Sequence, residues 1–399
     1  MELLNIVTLS SNPLFSSLFF LFSLLILLKL AKKKNLNLPP SPPKLPIIGN
    51  IHQLGKLPHR SLRDLSRNYG SLLLLHLGYN PTLLVSSADM VREIVKNHDI
   101  VFSDRPKTTA VDVLFYGCKD LAFAPHDEYW LCSNCLKALS AEFDVFLDQV
   151  IQEHSTLESH EETKQKDFVS IIMQLQKDGM LGMDLTRDNI KAILLDMFVG
   201  GTDTTTTTMD WMMAELLKHP NAMKKVQEEV RKVVGNKGKV DAEDISKMHY
   251  LKCVTKETFR LHPAAPLLVP RKTSASVKLK GYDIPSGTTI MINGWAIQRD
   301  PEWWEKPEEF IPERFENSSI DFKGEDFEFI PFGFGRRGCP GLPFAVASIE
   351  YVVANLLYWF DWKFPAGETA DDLDMTELYG VSVNRKSPLR VIPISHQSV

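Results

Sequence analysis

The chain has 399 residues, 44% of them hydrophobic and 24% charged, with a formal net charge of −5. That composition supports a substantial core and excludes an intrinsically disordered chain, and the absence of a dense basic tract past the N-terminus argues against nucleic-acid binding. Five cysteines in a chain this long do not make a disulfide framework and fit a reducing compartment.

The first predicted element is a membrane anchor over residues 1–30. From Leu14 to Leu28 the stretch LFSSLFFLFSLLILL carries no charge, and apolar residues continue back through LLNIVTL. The combined span reaches the roughly 20 apolar residues that cross a bilayer. Lys29, Lys32, Lys33 and Lys34 follow at once, which places the rest of the chain on the cytosolic side. A cleaved signal peptide would carry its charge before the apolar run and a small-residue cleavage site after it. Residues 31–48 then form a basic, proline-rich hinge containing Pro39, Pro40, Pro42, Pro43 and Pro46, a density that forbids helix and favours a stiff extended spacer.

The body, residues 49–399, opens with two strands within 71–87 joined by a Tyr79-Asn80-Pro81 turn. ADMVREIVKNHD predicts a short helix with Met90, Ile94 and Val95 on one face. Thr186 to Lys218 predicts a helix roughly 50 Å long, ended by Pro220, with an apolar first half that should be buried. Shorter helices are predicted over 221–234, 242–248 and 250–262. SVKLKGYDIPSGTTIMINGWAI supplies strands with turns at Gly281 and Pro285-Ser-Gly287, and a last helix runs from Leu342 to Phe360. No internal repeat is present. The fold class is mainly α with small β-sheets.

Immediately before the last helix stands FIPFGFGRRGCPG. Gly333, Gly335 and Gly338 spell G-x-G-x-x-G, but a dinucleotide fingerprint needs a preceding strand, a helix opening inside the motif and an acid about 20 residues on. Pro331 cuts the extended piece, Cys339-Pro340 delays the helix, and the next acid is Glu350. The glycines serve Cys339 instead. A cysteine just ahead of a helix has its thiolate stabilised by the helix dipole and free N–H groups, and such a thiolate suits the axial position of haem iron. Arg337, two residues earlier, is placed to pair with a haem propionate. Elsewhere, Glu257 and Arg260 share a helix face at i, i+3, which taken alone reads as a surface salt bridge. GGTDTT, from Gly200 to Thr205, interrupts the apolar face of the long helix, reading either as a weak point or as a local opening.

Phe332, Gly335, Arg337, Cys339 and Gly341 together form F-x-x-G-x-R-x-C-x-G, which resembles the haem-binding loop of the cytochrome P-450 monooxygenases. E-x-x-R at Glu257 and Arg260, Arg314 in IPERF, and GGTDTT follow in the order of that family, and the lysine-flanked anchor with PPSPP resembles its plant microsomal branch. The resemblance implies a cytochrome P-450-like fold, with haem b held by the Cys339 thiolate. It implies propionate contacts from Arg337, Arg271 and Trp130, and proton handling by Asp203 and Thr204. Glu257, Arg260 and Arg314 would form a buried brace beneath the cysteine loop. Leu267, Leu268, Val269 and Val381 would make an apolar substrate pocket. It also implies an endoplasmic reticulum location, a small apolar substrate, dioxygen, and electrons from NADPH through cytochrome P-450 reductase.

Two departures stand out. The family's W-x-x-x-R keeps Trp130 here but has Asn134 where the arginine belongs, and Cys132 and Cys135 form a C-x-x-C with neither zinc-site nor redox context. Just past Ser140, EFDVFLDQVIQEH resembles the helix that precedes the long helix. Roughly a hundred residues that the family places between are therefore expected to be missing around 131–141, leaving the fold incomplete in the middle. The alternative expectation is a truncated, non-catalytic, membrane-tethered remnant of the same family.

Overall fold

The computed structural model describes residues 36–107, 134–157, 167–179 and 185–396, with a few positions outside those stretches. Nearly all of the expected anchor, together with Trp130 and Cys132, lies outside the described residues. Helix α1 (Pro58–Tyr69) leads into strands β1 (Leu72–Leu77) and β2 (Asn80–Val85) and helix α2 (Ala88–His98). Helices α3 (Asn134–Leu157), α4 (Phe168–Asp178), α5 (Arg187–Lys218), α6 (Pro220–Val234), α7 (Ala242–Ser246) and α8 (His249–Leu261) follow. Four short strands come next: β3 (Arg271–Lys272), β4 (Val277–Leu279), β5 (Tyr282–Ile284) and β6 (Thr289–Ile292). The chain closes with α9 (Gly294–Ile297), α10 (Leu342–Trp359), and strands β7 (Phe360–Lys363), β8 (Glu377–Tyr379), β9 (Val383–Arg385) and β10 (Ile392–Ser395).

The main sheet has the order β1-β2-β6-β3, with β2 and β6 parallel and its other neighbours antiparallel. The first hairpin turns two residues earlier than its sequence suggests. Gly78 takes the left-handed φ of 63°, and Asn80 and Pro81 already belong to β2. Proline is tolerated there because it stands at the start of the strand. The proline-rich stretch is also more than a spacer. Asn37 and Asp283 exchange hydrogen bonds at 3.0 and 2.7 Å, and the Leu74 N–H donates to the Pro40 carbonyl at 2.9 Å, so the hinge is laid onto the body.

Two cores position the site. One packs the second half of α5 against α6, α8 and α10, with Trp304, Phe315 and Phe329 beneath. The other joins the sheet to α2 and the β4–β5 hairpin and includes Phe334. A third cluster, Leu147, Ile151, Ile172, Met173 and Ile190 to Leu195 in part, joins α3 and α4 to the start of α5. Among the described residues α10 is the helix long and apolar enough to cross a membrane, yet Ile349, Val353, Ala354 and Leu357 commit it to the core.

Thr186 caps α5 through a capping box with Asn189, at the start the sequence predicts for that helix. The expectation of a buried first half holds only to Leu195. From Asp196 to Thr206 no residue is fully buried, Phe198 is 55% exposed, and burial resumes at Thr207.

Candidate haem-thiolate site

The cysteine loop stands on aromatic feet. Phe329 is fully buried, Phe332 packs edge-on against Phe259 at 4.9 Å, and the Phe334 ring lies under the Arg271 guanidinium at 4.1 Å. Gly335 to Arg337 then make one turn of 3-10 helix, closed by the Gly338 N–H on the Gly335 carbonyl at 3.0 Å. The Cys339 N–H returns to the Phe332 carbonyl at 2.9 Å, which fixes the cysteine just before the first turn of α10. Gly335 has φ +60°, a conformation that favours glycine.

Cys339 is exposed. Crowding by protein around the sulfur pushes its thiol up, and the N–H groups of Gly341 and Leu342 pull against that without prevailing. The expected helix-terminus stabilisation of the thiolate is thus present as two N–H donors, outweighed by burial.

Two arginines converge beside the loop. Arg271 is buried and donates through Nη2 to the Phe334 carbonyl at 2.6 Å, while its Nη1 is buried with no hydrogen-bond partner. Burial pushes its pKa down to about 10, with Asp99 acting against the shift and Arg337 adding to it. Arg337 donates through Nε to the Ser103 carbonyl at 2.8 Å. An accessible thiol ahead of a helix, glycines around it and an unsatisfied guanidinium N–H beside it suit a flat, dianionic cofactor with a thiolate-binding metal, so the residues fit haem.

Glu257 and Arg260 form a fully buried ion pair, so the surface reading of the two gives way to the buried one. Arg260 donates to both Glu257 oxygens at 2.8 and 2.9 Å and to the carbonyls of Gln298, Pro307 and Glu309, using all five N–H groups. Arg314 adds a bond to Glu257 at 3.1 Å, and the Ile311 N–H another at 2.8 Å.

On α5 the helix runs unbroken through GGTDTT, so the expected local opening is not present. The threonines instead turn their hydroxyls back along the helix, Thr204 to the Gly200 carbonyl and Thr208 to the Thr204 carbonyl. Such back-bonding gives the backbone carbonyls an extra donor without breaking the ladder. Asp203 and Thr204 are half-buried on the stretch where burial lapses, and the Thr205 hydroxyl is buried without a partner.

The apolar pocket residues divide. Leu267 belongs to a core cluster with Leu62, Leu73, Leu75 and Leu84, and the half-buried Leu268 packs on the sheet core. Val269 is half-buried, and Val381 is 83% exposed at the tip of the β8–β9 hairpin. That hairpin is tied to α5 by Trp211 Nε1 on the Val383 carbonyl and by Arg385 on Asp210 at 2.7 Å. Sequence reasoning missed Arg105, which is buried and donates through Nη1 to the carbonyls of Val269 and Pro270 at 2.8 and 2.9 Å. An arginine within FSDRP, flanked by an acid and a proline, was the available signal.

A mainly helical fold that offers one cysteine from a glycine loop, braced by a buried Glu-Arg-Arg set, defines a haem-thiolate protein. The sequence model of the family described as cytochrome P450, here written P-450, matches residues 39–132 and 129–392. The chain is 42% identical to the phenylacetaldehyde oxime monooxygenase of Prunus mume, covering 94% of this chain and 93% of that one. It is 43% identical to cytochrome P-450 71A1 of Persea americana (88% and 92% covered) and 41% identical to desmethylyatein synthase of Sinopodophyllum hexandrum (96% and 99%). A zebrafish cytochrome P-450 structure with abiraterone superposes with TM-score 0.74 at 24% identity, covering 85% of this chain and 100% of that one, a likeness of fold. The chain belongs to the cytochrome P-450 family and is a plant-type P-450 monooxygenase. The family match falls in two pieces meeting at 129–132, and the Prunus mume alignment runs over 488 positions, 89 more than the 399 residues of this chain.

Proposed function

We propose that this P-450 monooxygenase inserts one atom of dioxygen into a small apolar organic substrate of plant secondary metabolism. Electrons would come from NADPH through cytochrome P-450 reductase, and the protein would work from the endoplasmic reticulum membrane through its N-terminal anchor, with the body in the cytosol. The observation that carries the reading is the exposed Cys339, held between the Phe332 carbonyl and the first turn of α10. Bound haem b would supply the binding and reductive activation of dioxygen. Cys339 would give its thiolate to the iron, and Arg271, Arg337 and Trp130 would hold the propionates. Glu257, Arg260 and Arg314 keep the loop rigid. Asp203 and Thr204 hold and pass protons at the carboxylate and at Oγ1. Val269 and Val381 face the substrate.

A second reading, a membrane-tethered remnant that does no chemistry, is favoured by one observation. Burial on α5 lapses between Asp196 and Thr206. On the proposal that about a hundred residues are absent near 131–141, which the two-piece match and the long alignments support, that stretch has lost its cover, and water would reach the site. Expression in membranes followed by a reduced, carbon-monoxide-bound absorption spectrum separates the two. The thiolate-type Soret band, abolished by Cys339→Ser, is the expected result. Well-expressed wild-type protein lacking the band overturns the first reading in favour of the second.

A further inference from the structure

The end of α2 carries an acid that no motif singled out. Asp99 follows His98 in helical conformation, and its carboxylate is 18% exposed. Oδ2 accepts the Arg336 backbone N–H at 3.3 Å and stands 3.4 Å from the Arg336 guanidinium. Gly335 lies so near that a Cβ there would stand 2.6 Å from Oδ1. From the other side Arg271 brings Nη1 to 3.7 Å from Oδ1, too far for a hydrogen bond, and both atoms are buried without a hydrogen-bond partner.

The residues that follow extend the same contact. The Ser103 hydroxyl donates to the Asp99 carbonyl, and the Ser103 carbonyl accepts Arg337 Nε at 2.8 Å. The Asp104 carbonyl accepts the Lys272 N–H at 2.8 Å, and Arg105 holds the carbonyls of Val269 and Pro270. Residues 99–105 thus form a strap from the cysteine loop to β3, with Asp99 at its loop end. Arg271 and Arg337 repel one another beside the loop, and a buried cation without a counter-charge is unstable. Asp99 is the carboxylate that faces Arg271 there, at a distance that leaves the Nη1 hydrogen free for a second anion.

We propose that Asp99 is a positioning residue of the haem site: its carboxylate fixes Gly335 and Arg336 in the cysteine loop and shares Arg271 with the acidic groups of the cofactor. The sharing rests on the haem-thiolate reading above, whereas the hold on the loop does not. Asp99→Asn keeps the shape and an acceptor for the Arg336 N–H but removes the charge, and Asp99→Ala removes both.

Two measurements on the full chain in membranes or detergent test the role. In hydrogen exchange, Asp99→Ala is expected to speed exchange of the 332–341 segment several-fold and leave the Glu257 helix unchanged, with Asp99→Asn close to wild type. In the haem-loaded protein, Asp99→Asn is expected to keep the thiolate-type band while its midpoint potential moves positive, because a negative charge near the redox centre is gone. Unchanged exchange in the alanine variant, or an unchanged potential in the asparagine variant, overturns the proposal. If the wild type takes up no haem, the functional reading falls, and the exchange result alone upholds or overturns the role of Asp99.

Discussion

Glu257→Gln is the sharpest test of how the cysteine loop is held. The carboxylate is fully buried; Oε1 accepts from Arg260, Arg314 and the Ile311 N–H, and Oε2 accepts from Arg260 Nε. A glutamine must put its NH2 group at one of those two places. If it faces Arg260 Nε, one charge-assisted bond becomes a donor–donor clash, and the other orientation loses three bonds. A lost bond to a charged group costs about 1.5–3 kcal/mol. Stranding two buried guanidinium groups brings the total to about 3–5 kcal/mol. Arg314→Ala should cost less, about 1–2 kcal/mol, because Arg314 is 12% exposed and Arg260 still neutralises Glu257. Urea unfolding read by tryptophan fluorescence measures both, with Trp304 lying 5.3 Å from the Arg260 guanidinium as a local reporter. A Glu257→Gln loss below about 1 kcal/mol, or a larger loss from Arg314→Ala, refutes the brace.

Burial pushes the Glu350 carboxyl on α10 from 4.5 up to about 7, against the pull of Lys252 and Lys256. Its folded pKa lies above its unfolded one, so stability is lost as pH rises from 4.5 to 7; Glu350→Gln should therefore stabilise by up to about 3 kcal/mol at pH 8 and by less than about 0.5 kcal/mol at pH 4.5, measured by unfolding at both. Gly335→Ala, at φ +60° and 2.6 Å from Asp99, should cost about 1–3 kcal/mol and weaken the thiolate-type band. Gly367→Ala, at φ +88° with open space around it, should cost about 1 kcal/mol and leave the band intact. Phe198→Lys and Phe344→Lys, at positions 55% and 65% exposed, should reduce light scattering in detergent-free buffer while changing stability by about 0.5 kcal/mol or less.

What the sequence disclosed follows the range of the interactions involved. The ends of α5 were readable because caps and breakers act within a turn: Thr186 closes a capping box and Pro220 starts the next helix. The cysteine loop was readable because glycine, arginine and cysteine each carry a local requirement. The packing of Leu267 and Leu268 was not readable because an apolar side chain looks the same in any dry setting, and the sheet it meets is brought in from nearly 200 residues away. Asp99 and Arg105 escaped notice for the same reason, since their partners are carbonyls and N–H groups of segments distant in sequence.

The stretch around 131–141 shows that difference of range most plainly. Helix α3 runs from Asn134 to Leu157, starting just past residues 129–132, where the family match changes from one piece to the other. Helical hydrogen bonds reach only four residues, so a helix can form beside such a junction whatever else is absent. Its far half finds partners: Lys191 reaches Asp144 and Asp148 at 2.6 and 2.8 Å, and Leu147 and Ile151 enter the core. Cover, in contrast, must come from distant chain, and Val145, Phe146 and Phe198 are left half or more exposed. The proximal side, by comparison, is built from loop, α8 and α10, all inside the second matched piece. On the proposed reading, Cys339 and the Glu257 brace therefore stand independently of the junction, while control of water at Thr204 would depend on it. Haem uptake with a thiolate-type band, accompanied by reductant consumption that yields hydrogen peroxide in place of product, is the outcome this division predicts. Tight coupling of reductant to product in the same chain would show that α5 is covered by some other means.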